Sequence, residues 1–124
     1  MEFEYKLIKA SSIDDFIKLS IDAYKKNFIF IGGFSASKIS GGEFIFHQQW
    51  VKKRGEETVG KIEFRIIKDT SPVEFSKKCE KAHDDDFIFT GNPIIMGAGQ
   101  GKFIYLQMWY KRESEETLEN EEDA

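Results

Sequence analysis

FIFIGGFSASKISGGEFIFHQQWVKK, Phe28–Lys53, returns without a gap as FIFTGNPIIMGAGQGKFIYLQMWYKR, Phe87–Arg112. In both copies an aromatic strand runs into glycine, a turn segment follows, and a return strand sets Gln and Trp two residues apart. The likeness extends upstream. Aligned over 3–53 and 62–112, the halves share about 17 identities in 51 positions, with further Tyr/Phe, Lys/Arg and Asp/Glu exchanges. Shared secondary structure alone does not generate so many identities, so the chain reads as an internal duplication.

A strand and then a helix precede each hairpin. Phe3, Tyr5 and Leu7 alternate with Glu4 and Lys6, as Ile62, Phe64 and Ile66 do with Glu63 and Arg65; period two marks a half-buried strand. Ser12 with Asp15 reads as a helix N-cap. Ser71-Pro72-Val73-Glu74 is a clearer start, because Pro at the first helical position needs no amide partner and Glu suits the positive end of the helix. Helix one carries Ile13, Phe16, Ile17, Ser20, Ile21 and Tyr24 at helical spacing. Helix two has only Phe75, Cys79 and Ala82, so it should lie nearer an edge. The helices end before Asn27 and Asp86.

On the return strands Phe44, Phe46, Gln48 and Trp50 share a face, matched by Phe103, Tyr105, Gln107 and Trp109. The opposite face is mixed in the first copy (Ile45, His47, Gln49, Val51) and apolar in the second (Ile104, Leu106, Met108, Tyr110). The second return strand should therefore lie under another layer or in a subunit interface. SASKISGGE (35–43) and IIMGAGQGK (94–102) read as turn segments. The expected fold is α+β: a tandem βαββ repeat forming one mainly antiparallel sheet, with two helices on one face and a pseudo-two-fold between the copies. Residues 1–112 would form a single domain of copies 3–53 and 62–112, joined by a polar surface turn, RGEETVGK.

Residues 113–124, ESEETLENEEDA, hold seven acids, no base and no apolar periodicity, which reads as a disordered acidic tail. Without it the body has 18 basic against 15 acidic side chains. That excess is too small for nucleic-acid binding, yet suits a small anionic ligand held by a few Arg or Lys. No apolar run approaches the ~18 residues of a membrane span, so no membrane partner is expected. The N-terminus lacks a signal-peptide layout, and Cys79 is the single cysteine, both pointing to a cytoplasmic location.

Candidate chemistry is sparse. GAGQGK, Gly97–Lys102, fails as a phosphate loop: Met96 stands where Gly is required, Phe103 follows the Lys, and a strand follows rather than a helix. His83 with Asp84, Asp85 and Asp86 offers metal-binding groups, but the first copy has Tyr24, Lys25, Lys26 and Asn27 there. Leu106 replaces His47, and Cys79 sits on a helix stripe. No catalytic set, metal or cofactor is expected. Gln48 and Gln107 either make structural amide bonds or read a ligand. Where the copies diverge, Gly33 becomes Asn92 before Pro93, Val51 becomes Tyr110, and Lys53 becomes Arg112. This is either drift between copies or a nucleotide site: rings to stack, an amide for base or ribose, a guanidinium for phosphate. The ligand-binding candidates are Asn92, Arg112, Arg65, Phe89, Tyr110 and Gln107.

Tyr5–Lys9, the capped helix at Ser12, Gly32-Gly33 and the return strands Phe46-His47-Gln48-Gln49-Trp50 and Tyr105-Leu106-Gln107-Met108-Trp109 resemble a small family of phage and bacterial proteins of unknown function, here in tandem. Small or aliphatic residues usually follow the Gln in that family, and a Gly-Trp is common near Asn27 and Asp86, so this chain departs from it at those places. Its size, its two helices on a many-stranded sheet and Gly91-Asn92-Pro93 also resemble Thoeris-type phage anti-defence sponges. That resemblance implies a non-catalytic homo-oligomer that sequesters a cyclic ADP-ribose-like nucleotide signal without cleaving it. The alternative is a protein-interaction or inhibitor module using a sheet edge or the acidic tail. An enzyme using His47 or His83 has the least support. Binding of any kind is expected to fall to the second copy.

Overall fold

The computed structural model describes residues 2–39, 41 and 43–113. The first repeat comprises β1 (Phe3–Ala10), α1 (Ile13–Lys25), β2 (Ile29–Phe30), β3 (Ser35–Lys38) and β4 (Phe44–Lys53). The second comprises β5 (Lys61–Asp69), α2 (Pro72–Asp84), β6 (Ile88–Phe89), β7 (Ile94–Gly99) and β8 (Lys102–Glu113). The class is α+β, and both halves show the same order, a strand, a helix and three strands, of which the first two form one interrupted edge. The acidic stretch 114–124 lies outside the described residues, and β8 includes Glu113, the first residue assigned to the tail.

Local signals act as the sequence indicates. The Ser12 hydroxyl accepts the Asp15 amide at 3.1 Å and the Ser71 hydroxyl accepts that of Glu74 at 3.2 Å. Asn27 and Asp86 end the helices at φ 73° and 70°. Asn and Asp are the non-glycine residues best suited to that left-handed conformation. The Asn27 side chain also accepts the Thr58 amide at 3.1 Å, and the Tyr24 hydroxyl donates to the Val59 carbonyl at 2.7 Å, tying the linker to the end of α1.

Three expectations need correction. First, the segments after Gly32 and Gly91 are strands. β4 pairs antiparallel with β1 on one edge and with β2 and then β3 on the other, and β8 pairs likewise with β5, β6 and β7. The edge strand breaks at the glycine and resumes; serine and glycine in its second half conceal the alternation.

Second, the described residues form two four-stranded sheets rather than one. Joining them edge to edge would leave Phe64, Leu106 and Met108 in water, whereas stacking buries them. Third, the stacking is not two-fold. The helix-bearing face of the first sheet (Ile8, Phe30, Phe46, Trp50) and the helix-free face of the second (Phe64, Ile66, Leu106, Met108, Tyr110) form one core. The Phe30 ring lies 5.0 Å from Tyr110 and 6.2 Å from Phe64, and Trp50 lies 5.9 Å from Phe64. A two-fold would bring equivalent faces together; here non-equivalent faces meet.

α1 contacts β1 and β4 of its own sheet and β5 of the other. The layers thus run sheet, helix, sheet, helix. α2 is outermost over a smaller core of Ile67, Phe75, Ala82, Phe87 and Trp109, in keeping with its thin apolar stripe. β8 is covered on both sides, Leu106 and Met108 by the first repeat, Gln107 and Trp109 by α2. No helix among the described residues is long and apolar enough to cross a membrane.

Candidate functional site

The break in each edge strand organises its surroundings. Gln48 Nε2 donates to the Gly32 carbonyl at 2.9 Å, and Gln107 Nε2 donates to that of Gly91 at the same distance. Each buried amide thus holds a carbonyl near the point where the ladder is interrupted. In the second repeat Gln107 Oε1 also accepts from Trp109 Nε1 at 3.1 Å and from the Cys79 thiol at 3.5 Å. In the first, the matching atoms, Gln48 Oε1 and Trp50 Nε1, have no hydrogen-bond partner among the described residues. The two breaks also touch. A Cβ added to Gly91 would sit 2.6 Å from the Gly33 nitrogen and 2.9 Å from its Cα. Asn92 follows this contact and is exposed.

The six candidate residues do not share one place. Strand register puts Arg65, Phe89 and Gln107 on the α2 side of the second sheet, and Tyr110 and Arg112 on the opposite side. The Arg65 guanidinium lies 4.2 Å from the centroid of Phe87 and 3.4 Å from the Asp85 carboxylate, while Lys111 approaches the same ring at 5.9 Å. Lys6 and Lys52 hold the same position over Phe28 at 5.7 and 5.5 Å. A cation above the first phenylalanine after the helix is therefore a shared building feature. Phe89 is exposed and edge-on to Trp109 at 5.6 Å, Tyr110 packs on Phe30 between the repeats, and Arg112 is exposed at the strand end.

The other polar clusters have local explanations. Asp85 pairs with Arg65 and with Lys81 at 3.8 Å, relieving part of the negative charge at the end of α2. Among the described residues no group of three His, Cys, Asp or Glu side chains is placed to hold a metal ion. Burial pushes the Cys79 thiol up, away from the nucleophilic thiolate. His47 lies on the helix-free face of the first sheet, opposite Lys9 and Ser35. A cleft of about 270 Å³ at the junction of the repeats is lined by Ile21, Tyr24, Lys25, Gly60, Lys61 and Ile62, none of them among the six.

Sequence reasoning missed the outer faces. On the helix-free side of the first sheet Phe3, Tyr5, Leu7, Ile29 and Ile31 are exposed, with Ile45 and Val51 half-buried beside them. On the α2 side of the second sheet Phe89, Ile95 and Phe103 are exposed. β4 alone makes the first face mixed, with His47 and Gln49 between Ile45 and Val51; the flanking strands add the exposed Phe3, Tyr5, Leu7, Ile29 and Ile31. No family model, curated protein or solved structure matches the chain.

Proposed function

We propose that this chain is a non-catalytic protein-interaction module whose working surfaces are its two outer apolar faces. One observation carries this. Tyr5 and Leu7 are 60% and 64% exposed, whereas their equivalents Phe64 and Ile66 pack into the core between the repeats. The same surface is thus covered in one repeat and open in the other, and a contiguous apolar sheet face left in water is characteristic of an interaction site. His47, with Lys9 and Ser35 beside it, makes one end of that face polar, while Phe3, Tyr5, Leu7, Ile29, Ile31 and Val51 form its apolar part around Gln49.

The geometry favours this over the nucleotide sponge. A small ligand needs its contacts to converge, and five of the six candidates divide between opposite sides of the second sheet, with Asn92 in the break of its edge strand. Gln107 is already engaged by Gly91, Trp109 and Cys79. Two experiments separate the readings. A photo-crosslinking side chain at Leu7 or Phe89, in cells producing the full chain, should yield discrete protein adducts that the same group at exposed Lys18 does not. Equal adducts at all three positions, or none, would contradict the module. Thermal stabilisation by a nucleotide that Asn92→Ala and Arg112→Ala both abolish would restore the sponge.

A further inference from the structure

We infer that the partner of these faces is a second copy of this chain, docked head to tail, with the helix-free face of one molecule's first repeat on the α2 face of the next molecule's second repeat. This rests on the interaction-module reading and names its partner. Within the chain, the helix-bearing face of one repeat receives the helix-free face of the other. Because the repeats are equivalent, the two outer faces are the unused copies of these same two surfaces. The intermolecular contact continues the internal one.

Residue by residue, the unused pair keeps much of the internal chemistry. Inside the chain Phe30 and Trp50 meet Phe64 and Tyr110. Between chains the equivalents are Phe89 and Trp109 against Tyr5 and Val51. Phe89 is 57% exposed and Tyr5 60%, so an aromatic stands open on each side. Ile95 and Phe103, exposed, replace Ala36 and Phe44, which pack on the shared core. One polar exchange occurs in step on both sides. Phe46 and Leu106 line one cleft at the internal junction; their equivalents are Tyr105 and His47, which brings a phenol to an imidazole.

The helix contributes less. α1 offers Ile17, Ile21 and Tyr24, whereas α2 has Ser76, Glu80 and His83 in their places. The contact between molecules therefore rests on the strands and is weaker than the internal one. A contact between non-equivalent surfaces does not close as a two-fold dimer; it gives a ring or an open chain of molecules.

Sedimentation of the full chain tests this. The wild type should associate with rising concentration and pass beyond a dimer. Tyr5→Lys and Phe89→Lys, each blocking a different face, should be monomeric alone yet form a one-to-one complex when mixed, because each keeps the face the other needs. Leu7→Lys and Phe103→Lys serve as second variants if either first one misfolds. Ser76→Ile with Glu80→Ile, restoring the α1 residues, should tighten association by about tenfold or more. A wild type monomeric to about 1 mM overturns the inference. So does a Phe89→Lys variant that remains a dimer, which would mean that the first-repeat face pairs with itself. So does a mixture that fails to combine. Adducts at Leu7 to a different protein, with a monomeric wild type, would overturn head-to-tail docking while leaving the module reading intact; silent crosslinkers would sink that reading as well.

Discussion

At the scale of single residues, the two glycines whose backbones meet between the repeats, Gly33 and Gly91, are unequal. A Cβ on Gly91 would fall 2.6 Å from the Gly33 backbone, whereas one on Gly33 would meet Gly91 Cα at 3.4 Å. The first distance demands backbone movement; the second is ordinary contact. Gly91→Ala should therefore cost about 1–3 kcal/mol of unfolding free energy in urea, and Gly33→Ala less than about 1 kcal/mol. Equal losses would mean that the edges of the two repeats do not touch there. Asp69 carries a second test. The Ser71 amide, donating at 2.9 Å, and the Lys78 ammonium, also at 2.9 Å, hold its carboxyl below the usual carboxylate range. A carboxylate with a lowered folded-state pKa stabilises the fold above its unfolded value, near 3.8, and loses that contribution as pH falls through the lowered value. Asp69→Asn should thus lower the melting temperature at neutral pH, with the difference shrinking as the pH falls below 3.8. A difference that persists in acid would assign the effect to something other than charge.

At the scale of elements, much is legible in the chain and the limits are physical. Alternation around Tyr5 and Phe64 marks strands, Ser12 and Ser71 mark helix starts, and the amide reading of Gln48 and Gln107 as structural holds in both repeats. These depend on neighbours in sequence or on one partner strand. The strand identity of Ser35–Lys38 and Ile94–Gly99 is not legible, because their pairing partners lie across a turn and their composition suits a loop. Periodicity also shows which residues share a face without showing what covers it. Apolar residues on both sides of β8 do announce two covering layers, but not that one of them is the first repeat. For the candidate site the same limit applies. Arg65 and Arg112 are both basic and both lie on strands of the second repeat, yet Arg65 pairs with Trp109 and Arg112 with Ile62, a difference in parity that places them on opposite sides of the sheet.

At the scale of the whole molecule, the duplication is used asymmetrically. The helix-free face of the second repeat is the floor of the shared core, and its copy in the first repeat is open. Equivalent substitutions in the two repeats measure this directly. Tyr5→Lys, at a position 60% exposed, should change the unfolding free energy of the dilute protein by no more than about 0.5 kcal/mol. Phe64→Lys, at a position 6% exposed between Phe30 and Trp50, should cost more than about 4 kcal/mol or prevent folding. Urea denaturation of both variants, at a concentration below any association, is the decisive comparison. A large loss at position 64 with almost none at position 5 supports stacked repeats with one face kept open; similar losses at both would contradict it.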